Sequence, residues 1–445
     1  MRHSLGPRVA DLVRRVREPF ASDDENRQVQ GYTGVTSVLP GESLAFHVTT
    51  NPAQRYRIAF RRWPERDPLL TSDWIAARRE PEPLVDPATG AVHCDWEPSY
   101  QAPIGADWPS GVYVATLTNV LGRWSRVPFV VREAVPTAPL LVVVPFATYA
   151  AGNRWPMVEG LGSNLFHGLD ERGRTVAERR STAVSLNRPF SATGLPRRWE
   201  RDYHLVRWLE STGHQAGYAS GLDLETGRVR LTDYQAVLFA GHDRYWSPQM
   251  RRQVEKAVAA GVHLAFLSAG DMYWRVDCPD GGDSGGQRLL RCDQVGPDET
   301  GFTGRWRDLG EPEQALLGAQ FTAIPRRTAP LVVDQADHWF WAGTGARSGD
   351  RIRRLTGGEV DGVYPQHPLP ESLPDSYARL ASSPYRDGGR VRRTQHTTLY
   401  QAPSGAWVFN AGTCRWTYAL DRPGFRDRRI QAATGNLLRR MLGAD

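Results

Sequence analysis

The stretch AVLFAGHDRYWSPQMRRQVEKAVAAGVHLAFLS, residues 236–268, constrains this chain more than any other. It opens on a short apolar run, Ala236 to Ala240. Ser247 then reads as a helix cap, with Pro248 at the first helical position. Met250, Val254 and Val258 recur at helical spacing, and Gly261 ends the pattern. A second apolar run, His263 to Leu267, completes a strand, a helix and a strand. A connection of this kind lays the two strands side by side and parallel, with a right-handed crossover. The fold must therefore contain a sheet that is at least partly parallel.

Other segments join that sheet. Leu140 to Val144, LLVVV, is wholly apolar, as buried parallel strands are. DYHLVRWLESTG sets Leu205, Trp208 and Leu209 at helical spacing and stops at Gly213. WVFNAG reads as a late strand and RRIQAATGNLLRRML as a C-terminal helix. From Gly31 to Arg132 the pattern differs. SLAFHVTT, YRIAFRRW, GVYVATLTN and RVPFVV alternate or run apolar, and PGE, NPA and PSG punctuate them as turns. This reads as an antiparallel β-sandwich, followed by the proline-rich linker REAVPTAP. A chain of 445 residues is too long for one ordinary core. The expected class is a two-domain α+β protein: an N-terminal arm (1–30), a β-sandwich with its linker (31–137), and an α/β domain with long insertions (138–445). DGGDSGG, residues 280–286, matches neither a phosphate loop nor a calcium repeat and is expected to be a flexible loop.

Composition excludes several classes. The formal charge is +6, and 55 basic residues are interleaved with 49 acidic ones, so no single stripe faces phosphates and no nucleic-acid partner is expected. Lys256 is the single lysine. No apolar run reaches membrane-spanning length, and the N-terminus lacks the apolar core of a signal peptide. A cytoplasmic protein is the expectation. Of the cysteines Cys94, Cys278, Cys292 and Cys414, none sits in a CxxC pair, which argues against a zinc ribbon. The spacing allows a Cys278–Cys292 disulfide.

In open α/β sheets, ligands bind beyond the carboxyl ends of the strands. Thr148 and Tyr149 follow the first apolar run there. His242, Asp243, Arg244 and Tyr245 follow the second, and Asp271 and Tyr273 the third. Each also has a plainer reading. His242 fits a satisfied buried histidine as well as an acid–base group. Asp243 and Arg244 fit an ordinary ion pair, Tyr245 and Trp246 fit packing, and Glu359 in GGEVD fits a solvated turn. No HExxH and no GxSxG elbow between a strand and a helix occurs, so a zincin or α/β-hydrolase site has no support.

Several segments, taken in order, resemble one family. They are GYTGVTSVLPGES, VVVPFATYAAGNRW, VSLNRPF, YHLVRWLESTG, AVLFAGHDRYWS, HLAFLSAGDMYWRV, GTGARSGDRIRRLTGGEVD, VFNAGTCRW and ATGNLLRRM. Together they are similar to the large subunit of N,N-dimethylformamidase and its relatives, over roughly residues 28–445. The resemblance implies a β-sandwich joined to an α/β domain like that of glutamine amidotransferases, which is flavodoxin-like. It also implies amide hydrolysis at an iron held by two tyrosines and a glutamate. That glutamate belongs to a GHDEYW motif, and here Arg244 stands at its place. An SLY motif carries one tyrosine, and here SNLF puts Phe166 there. A TYxAYN motif carries the other, and TYAAGN sets Gly152 opposite it and leaves Tyr149 as the candidate. An asparagine of the family's site falls at Gly270. His242 and Glu359 match the family's histidine and glutamate.

A cation cannot ligate a cation. The resemblance therefore implies a frame that keeps its pocket and loses its metal, with no cofactor expected. A guanidinium at that place can hold a carboxylate or stabilise an oxyanion, but it cannot make hydroxide from water. The expected catalytic residues are His242, Asp243, Arg244 and Glu359. The expected substrate contacts are Tyr149, Asn153, Phe166, Tyr245, Asp271 and Tyr273. The expectation is an enzyme acting on a C–N bond, or on proton transfer or cyclisation of a small molecule, as in natural-product tailoring. One alternative is a metal-dependent amide hydrolase whose altered site, drawn from Tyr149, His242, Asp243 or Glu359, holds iron or zinc. The other is a non-catalytic binding subunit. A homo-oligomer or a small partner subunit is compatible with either.

Overall fold

The computed structural model describes residues 28–156, 162–170, 174–279, 281–283, 286–294 and 303–443. The expected N-terminal arm lies almost wholly outside these. The protein is a strand-rich α+β fold. Its N-terminal strands are β1 (Val29–Thr33), β2 (Ser37–Val38), β3 (Ser43–Thr50), β4 (Arg55–Arg62), β5 (Tyr100–Pro103), β6 (Gly111–Asn119) and β7 (Trp124–Val131). They form one sheet in the order β1–β3–β5 and a second containing β2–β7–β6–β4. All these pairs are antiparallel except β2 with β7.

Alternation makes these sheets two-faced. In β4, Tyr56, Ile58 and Phe60 are buried, while Arg55 and Arg57 between them are exposed. The rings of Phe46, Phe60 and Phe129 meet edge to face between the sheets. The other face of β6 and β7 is covered too. Val112, Val114 and Val130 enter the core of the next sheet, so the two halves share an apolar seam.

The large sheet is built from β8 (Leu140–Val144), β9 (Ala216–Ser220), β10 (Ala236–Phe239), β11 (His263–Phe266), β12 (Ala378–Arg386), β13 (Arg392–Gln401) and β14 (Trp407–Asn410). Their order is β9–β8–β10–β11–β14–β13–β12. The first five run parallel, and β13 and β12 are antiparallel. LLVVV is unbroken because both faces of β8 are covered. Leu140, Val142 and Val144 pack into one core, Leu141 and Val143 into another. On the first side lie α2 (Glu200–Ser211), α5 (Trp416–Asp421) and α6 (Arg428–Met441), through Leu205, Leu209, Trp416 and Leu437. On the second lie α3 (Gly221–Thr226) and α4 (Pro248–Ala259), through Leu224, Met250 and Val254. Ser247 caps α4 by accepting from the Met250 amide, with Pro248 at the first position.

From β8 the chain steps to β9 on one side and then crosses to β10 on the other. The strand order reverses there, and such a reversal opens a crevice at the strands' carboxyl ends. Into it run the loops after β10, β11 and β14, together with α1 (Phe146–Ala151) after β8.

Two expectations need correction. The four cysteines are free, so Cys278 and Cys292 form no disulfide. The described centre of DGGDSGG is no flexible loop either. Asp283 is fully buried at the seam between the halves and accepts from the Thr36 amide at 2.7 Å and the Thr36 hydroxyl at 2.6 Å. It also pairs with Arg288, whose Nη1 donates to Thr33 O at 2.6 Å, and with Arg228 at 3.6 Å. A charge among glycines looks like a solvated loop, and only Thr36 and Arg228, far away in the chain, make it a joint.

Candidate active site

Gly241 ends β10 with φ +60, and a Cβ there would come within 2.1 Å of Asp202 Oδ1. That turn lets the chain bring His242, Asp243 and Arg244 into the crevice. Glu359 arrives from the turn between the strands Arg351–Thr356 and Val360–Gly362. Its carbonyl accepts from the Cys414 amide at 3.2 Å, which clips the turn to the loop after β14.

The result is a compact ionic cluster. Arg244 Nη1 donates to Glu359 Oε1 at 2.8 Å, and His242 Nε2 lies 3.3 Å from the same oxygen. His242 Nδ1 faces the Ala269 carbonyl at 2.8 Å. A carbonyl only accepts, and an ionised carboxylate only accepts, so both ring nitrogens face acceptors and the ring is held as imidazolium. Burial opposes the charged ring, but Glu359 and Cys414 outweigh it and push His242 up to about 10. Burial likewise favours neutral Glu359, yet Arg244 and His242 hold it down at about 2.

Arg244 sits in an aromatic box. Its guanidinium carbon lies 4.6 Å from the Tyr273 ring centre, 5.3 Å from that of Phe321 and 5.6 Å from that of Phe166. Its backbone is fixed as well, because Thr148 Oγ1 accepts from the Arg244 amide and donates to Asp243 Oδ1. The Asp243 amide donates to Asp271 Oδ1 at 2.8 Å. Burial raises both carboxyls, Asp243 to about 7. Tyr149 donates its hydroxyl to Asp202, whose carboxyl burial lifts to about 7.

Several buried polar atoms in this cluster have no hydrogen-bond partner within the chain. They are Glu359 Oε2, Arg244 Nε, Arg201 Nε and Nη1, Asp243 Oδ2, Asp271 Oδ2 and the Tyr245 hydroxyl. Buried polar groups are normally satisfied. Such a concentration in one place leaves donors and acceptors for a ligand or ordered water.

The crevice thus brings together His242, Asp243, Arg244, Glu359, Tyr245, Asp271, Tyr273 and Phe166. Tyr149 is tied down by Asp202. Asn153 stands apart: its side chain bonds the Pro189 carbonyl and the amides of Trp155 and Ser191, as a loop brace. Sequence reasoning missed Phe321, Arg201, Asp202 and Cys414. Asp202 had a signal, lying at helical spacing with Leu205 and Leu209 on a buried face. Cys414 had one too, since it follows the strand WVFNAG at its carboxyl end. Phe321 had none.

Gly270 keeps this geometry open. Its φ is +70, and a Cβ would lie 2.5 Å from Glu359 Oε2 and 3.2 Å from His242 Cε1. Gly270→Ala is expected to displace Glu359 and destabilise the fold by about 1–3 kcal/mol, as overpacking does. Urea unfolding measures this, and a variant as stable as the parent would show that Glu359 is free to move.

Comparison with known proteins was then informative. Residues 54–430 match the family model described as N,N-dimethylformamidase beta subunit-like, C-terminal. The beta subunit of N,N-dimethylformamidase from Alcaligenes sp is 26% identical over 217 residues. That match covers 41% of this chain and 28% of the relative, so the chain spans well under a third of its length. Among solved structures, a superoxide reductase (neelaredoxin) from Ignicoccus hospitalis aligns with 24% of this chain and 80% of its own, at 8% identity and a TM-score of 0.15. A likeness that slight carries no argument. No helix among the described residues is long and apolar enough to cross a membrane.

Proposed function

Since this chain belongs to the N,N-dimethylformamidase beta subunit-like family, we propose that it cleaves a C–N bond in a small molecule, using Arg244 where its relatives keep a metal. The observation that carries this reading is the Arg244–Glu359–His242 cluster with its unpartnered buried atoms. The fold reading belongs to the same proposal: a β-sandwich domain followed by an amidotransferase-like domain whose switch-point crevice is the site.

The residues do not fit iron. Arg244 and Phe166 occupy two ligand positions implied by the resemblance, and neither a guanidinium nor a phenyl ring has a lone pair to give a metal. In this proposal Arg244 supplies a fixed charge. Its Nε is free to bind the carbonyl oxygen of a substrate and the oxyanion that follows. His242, held as imidazolium, is an acid for the leaving nitrogen rather than a resting base. Glu359 keeps both cations in place. Tyr273, Phe321 and Phe166 exclude water from the guanidinium and orient it. A partner subunit or a second copy is compatible with the family, in which the named relative is itself a beta subunit.

The test is amine release from a panel of small amides that includes N,N-dimethylformamide and anilides, with metal analysis of the pure protein. Arg244→Met is expected to lower kcat/KM by about a hundredfold, or about 3 kcal/mol, the usual loss for one preorganised contact to an oxyanion. Arg244→Lys recovers only part, because an ammonium lacks the planar fork. A fully active Arg244→Met enzyme, or iron near one per chain with a tyrosinate colour, would overturn the reading.

A further inference from the structure

We propose that Cys414 is a nucleophile, activated by His242 and Arg201, that carries the acyl part of the substrate as a thioester. The inference rests on the C–N reading and deepens it. Cys414 follows β14 at the carboxyl end of the sheet, beside the crevice. Its Sγ lies 3.7 Å from His242 Nδ1 and 3.6 Å from the Ala269 carbonyl. On the far side of the ring, His242 Nε2 faces Glu359. Thiol, imidazole and carboxylate therefore stand in line, the arrangement that activates a sulfur nucleophile.

Arg201 of α2 closes the cluster. Gly358, at φ +77, makes room for it: a Cβ there would lie 2.9 Å from Cys414 Cβ, 3.6 Å from Cys414 Sγ and 3.3 Å from Arg201 Nη2. Arg201 is 5% exposed, and its Nε and Nη1 have no hydrogen-bond partner in the chain. Arg201 also meets Tyr418 and feels Glu359, and its spare donors beside the sulfur suit a further anion, thiolate or oxyanion.

The other cysteines provide the contrast. Burial raises Cys94, Cys278 and Cys292. Burial acts on Cys414 in the same direction, but Arg201 and His242 outweigh it and bring the thiol down to about 6. Arg198, Arg244 and Arg415 add positive charge nearby, and Glu359 and Asp361 negative. A cleft of about 680 Å³ lies along the start of α2, where Trp199, Glu200 and Tyr203 flank Arg201 in the sequence. Trp63, Phe190, Trp199, Tyr203, Arg197 and Arg198 wall it, and Arg198 is close enough to feel the charges of Cys414 and Glu359. Aromatic and cationic walls suit an acyl group with an aromatic or anionic part.

The chemistry balances without a co-reactant other than water. The thiolate adds to the amide carbon, forming S–C and moving the carbonyl pair to oxygen. Collapse breaks C–N, and the amine leaves with the proton of His242. Water then adds to the thioester while neutral His242 takes its proton, and the acid and the thiolate separate. The sum is amide plus water to acid plus amine.

The test uses the full chain and p-nitrophenyl acetate as acyl donor. A burst of p-nitrophenolate approaching one per chain is expected, with one acetyl group on the peptide that contains Cys414. Cys414→Ala should lose both burst and label. Cys414→Ser, nearly isosteric, should keep the fold and lose most of the rate. Arg201→Gln should move the pH midpoint of acylation upward, a shift that a merely structural arginine would not cause. No burst, a label elsewhere, or an undiminished burst in Cys414→Ala overturns the proposal. An acylated Cys414 with no amine released from any amide would sink the C–N reading and leave the nucleophile standing. Loss of turnover in Arg244→Met with Cys414 unlabelled would do the reverse.

Discussion

Asp283→Ala is expected to destabilise the protein by about 3–5 kcal/mol, the usual result of removing one partner from a buried ion pair. Asp283 is fully buried, and Arg288, its main partner, is 2% exposed. Without the carboxylate, Arg288 keeps only the Thr33 carbonyl and the Asn187 side chain, and a guanidinium so buried cannot recover its lost hydration. Thr36 loses the acceptor for both its amide and its hydroxyl, which still reaches Ser220 at 2.8 Å. Asp283→Asn should cost less, because an amide oxygen still accepts from Thr36. Urea unfolding followed by tryptophan fluorescence reads the difference. Near-equal midpoints for Asp283→Ala and the parent would mean that the seam is held by Val112, Val114 and Val130 alone.

Glu359→Ala should cost a comparable amount near neutral pH, since it leaves His242 and Arg244 facing each other without an anion, about 3–5 kcal/mol for a broken buried pair. Its pH dependence separates this cause from simple loss of packing. Glu359 is lowered from 4.5 to about 2 in the fold, so its contribution is complete above pH 4.5 and is lost as pH falls toward 2. His242 is raised from 6.5 to about 10, so its contribution is complete below pH 6.5 and is lost as pH rises toward 10. The pair therefore stabilises most between those limits, from 4.5 to 6.5. In Glu359→Gln the His242 ring has no carboxylate to hold its proton, and the decline above pH 6.5 should flatten. Equal slopes in parent and Glu359→Gln would assign the alkaline loss to another group.

The elements most visible in the sequence were those with one dominant local signal. LLVVV, AVLFA and HLAFL are apolar throughout because helices cover both faces of their sheet. Helix α4 shows its serine cap, its proline and its stripe. By contrast, β12 and β13 are hard to recognise. ARLASSPYR and RRTQHTTLYQ mix charge, serine and threonine, because β12 ends the sheet and the two strands meet the short strands Ala329–Val332 and Val360–Gly362. Strand ends pointed to His242, Arg244 and Asp271, since the switch point depends on the order of elements alone. They could not reveal that Glu359 bridges Arg244 and His242, for that contact joins residues more than a hundred positions apart. Nor could they show that the Asn153 side chain braces a loop while the residue also lines the cleft along the start of α2.

The placement of β14 has a consequence for the order of events as the chain is made. This strand, residues 407–410, slots between β11 and β13 rather than at an edge. Only when it is seated do Thr413 and Cys414 reach the loops after β10 and β11, and only then is the Glu359 turn clipped in place. A chain made only as far as β13 therefore carries His242 and Arg244 without the thiol and with Glu359 unanchored. Long-range closures of this sort form late in folding. The cluster of His242, Arg244, Glu359 and Cys414 is therefore complete only once residues 407–414 are made and seated.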